Sequence, residues 1–257
     1  MQPTSGSSPA ATPRSAVRRV ERLAVGAKDS ISQSEAAGAI YIDFEGRTNE
    51  LPVLLGVLYA EGRRHPDPRR LVLRHDVIDP AFGSLTDAVP VNCEEYLYRY
   101  DSDVRHLWVA VREVVRRAEH QDRLIVAWSQ HELSLVREAC AAQGLSDAFE
   151  QRFRDGKATA RRWLRETHPD RMPERGERGG AHRLAHYLPI VGWEVPEEFG
   201  PGIVGGNLKL LREALGKGRS WDSFTDRQKR AWWQILGHNL HDCLGLRAVV
   251  MASATSD

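Results

Sequence analysis

The stretch Ala39–Gly62, AIYIDFEGRTNELPVLLGVLYAEG, sets two carboxylates, Asp43 and Glu45, near the end of a run of β-branched and aromatic residues. Side chains two apart on a strand share a face. Ile40, Ile42 and Phe44 therefore face one way, and Tyr41, Asp43 and Glu45 the other. Two like charges side by side repel and must stay hydrated, so a purely structural strand gains nothing from them. A hard divalent cation reverses that penalty, because carboxylate oxygens are its preferred ligands. The competing reading is an edge strand with one wet face, followed by a turn at Gly46. This stretch alone leaves both open.

Outward from it, Pro52–Ala60 reads as a second strand and Arg69–Val77 as a third, joined by short Pro-, Gly- and Asp-bearing links. Such links suit an antiparallel meander. Asp101–His120 carries Val104, Leu107, Trp108, Val111, Val114 and Val115 at helical spacing. Arg123–Ser129 is a short apolar run typical of a buried strand, and HELSLVREACAAQG reads as a helix stopped by Gly144. Further helices are expected over Asn207–Gly216 and Thr225–Val250. Three antiparallel strands, then helix, strand and helix, predict an α/β fold with a mixed sheet.

Composition narrows the class. The chain has 257 residues, 41% hydrophobic and 28% charged, with a formal net charge of +1. That suits one large globular domain or two small ones, and affinity for a polyanion would have to come from a local patch. Cys93, Cys140 and Cys243 lie far apart without a CxxC pair, which argues against a zinc knuckle or disulfide framework and fits a reducing, cytoplasmic setting. No apolar run approaches the roughly 18 residues of a membrane span. Residues 1–35, rich in Ser, Pro, Ala and Arg without an apolar signal-peptide core, read as a disordered tail. The domain is expected over 36–250, with 251–257 as a second tail.

Two more segments carry polar groups this architecture could bring toward Asp43 and Glu45. In IVAWSQHELSLV (Ile125–Val136), Glu132 falls in a helix's first turn, where the N-terminal field favours a carboxylate. The same residue could simply stabilise its own helix. In GHNLHDCLGL (Gly237–Leu246), His238 and Asp242 share a face, while Ile235, Asn239 and Cys243 form a neighbouring stripe. His241 points about 100° away from Asp242. An ordinary polar helix face is the alternative.

From Gln151 to Arg183 the chain holds ten Arg or Lys against five acids, a local charge of +5. Arg161, Arg162 and Arg165 surround Trp163, which could stack on bases. A solvated charged surface is the alternative.

Together these segments resemble the DEDD exonuclease superfamily, which has a ribonuclease H-like fold. YIDFEG is similar to its DxE first motif. IVAWSQHELSLV resembles the second, a His-Asn pair, two residues and an acid. Trp128 and Ser129 stand at the pair and Glu132 at the acid. HNLHDC resembles the third, a Tyr or His with Asp four residues on. The likeness is nearest to bacterial ribonuclease H-like domains that occur alone or beside helicase and RecB-type nuclease modules. Those show Tyr-Asn-x-x-Asp where this chain has HNLHD, and SLKxLxxxLG where it has NLKLLREALG.

The resemblance covers roughly residues 38–250, with an Arg-rich helical insertion over about 148–205 and C-terminal helices closing a ribonuclease H-like mixed sheet. It implies a 3'-5' exonuclease acting on single-stranded DNA or RNA through two metal ions, Mg²⁺ or Mn²⁺. Asp43, Glu45 and Asp242 would hold the metals, with Glu132 the fourth carboxylate and His238 the general base. Trp128, Ser129, Arg161, Arg162, Trp163 and Arg165 would contact the nucleic acid, and a helicase or nuclease complex is the implied partner.

Two departures matter. Glu at the second acidic position is one methylene longer than the usual Asp, and Trp128-Ser129 replaces a polar pair that helps place the scissile strand. They keep open a module that binds or scaffolds nucleic acid without useful turnover. A zinc hydrolase built on HRLAH, His182 and His186, is a third reading. It lacks the Glu that zincins carry after the first His, a place held here by Arg183, and has no evident third ligand.

Overall fold

In the computed structural model, which describes residues 30–47, 50–62, 66–90, 93–173 and 182–256, the opening stretch forms strands β1, Ile40–Glu45, and β2, Leu54–Glu61. They pair antiparallel in a register that sets Asp43 opposite Gly56. β3, Asp67–Val77, pairs antiparallel with β2 and brings His75 opposite the same glycine. β4 (Arg99–Val104) runs parallel to β3, β5 (Ile125–Ala127) parallel to β1, and β6 (Phe153–Asp155) parallel to β5. The result is one six-stranded mixed sheet in the order β4-β3-β2-β1-β5-β6.

The helices among the described residues are α1 (Gln33–Gly38), α2 (Leu107–Gln121), α3 (Gln130–Ala139), α4 (Ser146–Arg152), α5 (Gly156–Thr167), α6 (Leu184–Tyr187), α7 (Ile203–Gly216) and α8 (Asp226–Ser253). Ile40 and Ile42 pack with Val57, Tyr59 and Val72 against α2 and α3. Tyr41, on the opposite face, packs with Leu58 and Leu73 against α8, whose Leu240, Leu244 and Val249 are buried there. β1 is therefore an interior strand covered on both faces, and the edge-strand reading of it falls. None of these helices is long and apolar enough to cross a membrane.

α8 positions the site. Thr225 caps its start in a reciprocal capping box with Gln228. Its 28 residues extend about 42 Å at 1.5 Å each, enough to cross the whole sheet. At one end Trp232 is buried against Phe82 and Leu85, with its Nε1 donating to the Leu85 carbonyl at 3.0 Å. Further along, α8 comes so close to β2 that a Cβ on Gly56 would lie 1.8 Å from Asn239 Oδ1. A glycine is required there by space, not by backbone angle.

The structure differs from the sequence reading in three places. Asp101–Val104 belongs to β4, and the helix expected from Asp101 begins at Leu107. Val104, counted into the helical stripe, is exposed on the sheet edge. Residues 31–35 are not tail. Ile31 is fully buried, Ser32 caps α1, and Ser32 bridges to Thr255, so the segment after Val250 is ordered too. Burying one Ile contributes about 2 kcal/mol, enough to fasten so short a segment. Residues 1–29 lie outside the described residues. Finally, the stretch expected to be an insertion supplies β6 to the sheet and α5 to the face beneath α8, with Ala160 and Leu164 in the core.

Candidate metal centre and its cavity

β1 and α8 meet where the two carboxylates of the opening stretch emerge. His238 Nε2 lies 3.5 Å from Asp242 Oδ2 and 4.0 Å from Glu45 Oε1. One ligand atom from each of Glu45, His238 and Asp242 falls within 4.8 Å of the others, so these three could hold a metal ion. Glu45 Oε1 is buried with no hydrogen-bond partner. An acceptor left that way costs free energy unless a cation or proton meets it. That orphaned oxygen is where the residues fit a metal best.

His238 is oriented from outside the cluster. Its Nδ1 donates to the Phe199 carbonyl at 2.6 Å, which turns Nε2 toward the carboxylates. A ring nitrogen fixed by a backbone carbonyl is how ligating or proton-accepting histidines are usually held. Phe199 can come this close because Gly237 lacks a Cβ, which would sit 2.3 Å from the Phe199 ring.

Asp43 adjoins the trio. Its Oδ2 and its backbone carbonyl both accept from Asn239 Nδ2, at 2.8 and 3.2 Å. Asn239 Oδ1 in turn meets His75 Nε2 at 3.0 Å, and His75 Nδ1 meets the Tyr100 hydroxyl at 3.2 Å. All of Asn239 and His75 is buried.

The electrostatics are those of a crowded anionic site. Burial, then Glu45, Asp242 and Glu132, push Asp43 well above the ordinary carboxylate range. Burial also raises Glu45, to about 7, with His238 opposing and Asp242 adding to the rise. Asp242 is raised by burial against the pull of His238. Burial opposes the charged form of His238, but Asp242 and Glu45 outweigh it and the ring is raised. His241 is lowered to about 4 by burial and by His238, and it stacks on Phe199 away from the cluster.

Glu132 reaches the same cavity by another route. It is the N3 residue of α3, and its Oε2 accepts from the backbone N and hydroxyl of Ser129 at 3.2 and 2.9 Å. The two alternatives for this residue coincide, since it caps its own helix and still shares the cavity lining with Asp43, whose carboxyl it helps to raise. It lies outside the three-atom metal cluster. Glu132→Gln keeps an acceptor for Ser129, so the melting temperature should hardly move and turnover should fall by about ten-fold. Loss as complete as that of a direct ligand would overturn this outer placement.

These groups open onto a cavity of about 990 Å³. Asp43, Glu132, His238 and Asp242 belong to its lining. Lys157 and Arg161 of α5, Trp128, Ser129, Arg183 and Glu194 belong to it too. Trp128 also pins the wall, donating from Nε1 to the His182 carbonyl at 3.1 Å. His182, also in the lining, is lowered by burial and then by Arg161, His186, Lys157 and Arg165.

Not every expected contact arrives. Arg162 and Arg165 do not line the cavity, and Trp163 packs half-buried against the core, edge-on to His168. Helical spacing explains Arg162 and Trp163, which lie off the stripe that Lys157 and Arg161 share on α5; Arg165 is on that stripe but one turn beyond the cavity lining. Arg175 and Arg178 lie outside the described residues. His182 and His186 do not sit one turn apart on a helix, because His182 precedes α6 and its Nδ1 is 2.6 Å from the Tyr187 hydroxyl. Neither belongs to a three-residue metal cluster among the described residues.

Lys157, His75, Gly56 and Asn239 were missed as site residues. The one signal for the last two was the lone glycine interrupting the apolar run of β2, a mark of close approach by other backbone or side chain.

No protein-family model matches the chain, and neither a curated protein nor a solved structure matches it.

Proposed function

We propose that the protein is a metal-dependent nuclease with a ribonuclease H-like fold, hydrolysing phosphodiester bonds of single-stranded DNA or RNA in the 3'-5' direction. The observation that carries this reading is one cavity whose lining holds acidic residues and a fixed imidazole together with Lys157 and Arg161. Such a mixture suits a substrate whose phosphate is drawn in by cations and cleaved beside carboxylates. Three antiparallel strands, with the parallel strands β5 and β6 beside β1 and helices between them, support the fold assignment.

Asp43, Glu45 and Asp242 would hold Mg²⁺ or Mn²⁺, with Glu132 behind them. Such ions, when bound, would supply an activated water near neutral pH and counter-charge for the developing oxyanion. His238 presents Nε2 toward the carboxylates because Nδ1 is committed to Phe199, so it is placed to accept the proton of an attacking water. Lys157 and Arg161 hold the phosphate backbone by charge, and Trp128 offers a face for a base. A helicase or nuclease partner would deliver the strand end.

A second reading has its own support. Glu132 is tied to Ser129, and Trp128 is tied to His182, so neither is free to move onto a scissile strand. This favours a module that binds nucleic acid without turnover. End-labelled single-stranded DNA and RNA, incubated with Mg²⁺ or Mn²⁺ against EDTA, separate the two. A metal-dependent ladder of shortened products is expected, and uncut strands retained by the protein would establish the binding module instead.

Removing the cationic wall should weaken binding under either reading. Lys157→Ala with Arg161→Ala should reduce single-strand affinity by about ten-fold near physiological salt. It should flatten the salt dependence by about one to two phosphate contacts, each worth roughly 0.7 in slope. Arg162→Ala, outside the cavity, should change both far less. Equal effects from the two variants would move the nucleic-acid path elsewhere.

A further inference from the structure

We propose that Asn239 is a positioning residue that sets the rotamer of Asp43 in the metal centre, and that Gly56 and His75 exist in this fold to seat it. The inference deepens the metal-centre reading above and rests on it. An amide has two unlike ends, a nitrogen that donates and an oxygen that accepts. Asn239 Nδ2 faces the Asp43 backbone carbonyl, which can only accept, so the nitrogen and not the oxygen must point that way. The same nitrogen donates to Asp43 Oδ2 at 2.8 Å, leaving Oδ1 of that carboxylate uncommitted to Asn239.

With Nδ2 so placed, Oδ1 must face His75, and His75 Nε2 must be the donor across 3.0 Å. The Tyr100 hydroxyl then donates to the remaining His75 nitrogen, fixing the tautomer. A buried His lowered to about 3 by desolvation keeps this neutral arrangement at any working pH. The chain Tyr100–His75–Asn239–Asp43 thus links three strands and α8.

Space enforces the same geometry. Asp43, Gly56 and His75 occupy one cross-strand row, and α8 lowers Asn239 onto the middle of it. Any Cβ at position 56 would overlap the amide, 1.8 Å from Oδ1 and 2.8 Å from Cγ. Gly56 is therefore the seat of Asn239. Outer hydrogen-bond partners of metal-binding side chains are worth about 10–100-fold in metal affinity.

The test is Mn²⁺ binding to the full chain, followed by the loss of the free-ion electron paramagnetic resonance signal, with no substrate present. Asn239→Ala and Gly56→Ala should each weaken Mn²⁺ binding by about 10–100-fold while circular dichroism stays that of a folded protein. Their double variant should be no weaker than the stronger single one, because both act by removing the same amide. Leu240→Ala, a buried apolar truncation next to it on α8, should lower the melting temperature yet leave Mn²⁺ affinity within two-fold.

If Gly56→Ala does not fold, His75→Phe takes its place, removing the donor that orients the amide. Folded Asn239→Ala protein that binds Mn²⁺ like wild type overturns the positioning role while the metal centre stands. Wild-type protein that binds no Mn²⁺ overturns the metal centre, and this inference with it.

Discussion

Asp43→Asn should lower metal-dependent cleavage by about a hundred- to a thousand-fold, and should do so in a protein at least as stable as the wild type. The rate loss is set by removal of an anion at the point where charge has to be balanced, the kind of electrostatic contribution worth roughly 10²–10³ for a single group. The stability gain comes from the same crowding. As an anion, Asp43 is disfavoured by burial and by Glu45, Asp242 and Glu132. Asparagine is nearly isosteric and neutral. Its Oδ1 can accept the bond now given by Asn239, and its amide can donate toward Glu45, so nothing buried is left without a partner. Single-turnover assays on labelled strands and thermal melts in EDTA check both halves. A variant that still cuts, or that melts several degrees lower, removes Asp43 from the centre of the site.

The strand that carries Asp43 was legible because alternation over Ile40–Glu45 is a local property, and burial on both faces agrees with it. The face shared by Asp43 and Glu45 follows from the same periodicity, and the pairing of His238 with Asp242 follows from helical spacing. What escaped was tertiary. β4, RYDSDV, has almost no apolar residue and exists because it can pair with β3, whose own sequence says nothing of a partner. β6 is three residues long and followed by a basic helix, so its charge outweighed its pattern. Ile31–Gln33 is ordered through contacts with Met251–Thr255, more than two hundred residues away, which no local window contains. Asn239 stood in plain view inside HNLHD, but its task depends on a glycine in another strand.

The charge state of the site supplies the second large effect, a dependence of stability on pH that metal should reverse. Glu45 is raised from 4.5 to about 7, so between those values the folded protein holds a proton that the unfolded chain has lost. Stability from this group is complete below about pH 4.5 and disappears as pH rises through about 7. Asp43 and His238 are raised as well and act in the same direction. His75 and His241, lowered to about 3 and about 4, act oppositely, but only below their unfolded value of 6.5. The window between pH 6.5 and 8 therefore belongs to the carboxylates and His238.

The metal-free protein should lose on the order of 1–2 kcal/mol across that window, since each pKa unit is worth about 1.4 kcal/mol. For a chain of this size that is about 3–6 °C in melting temperature. A cation at the same oxygens competes with those protons, so Mn²⁺ at a hundred times its dissociation constant should restore about 2.7 kcal/mol at pH 8 and visibly less at pH 6. Glu45→Gln should flatten the metal-free profile and abolish most of the Mn²⁺ response together. A profile that stays flat in wild type, or a Mn²⁺ shift that is equal at both pH values, is incompatible with protons and metal sharing Glu45.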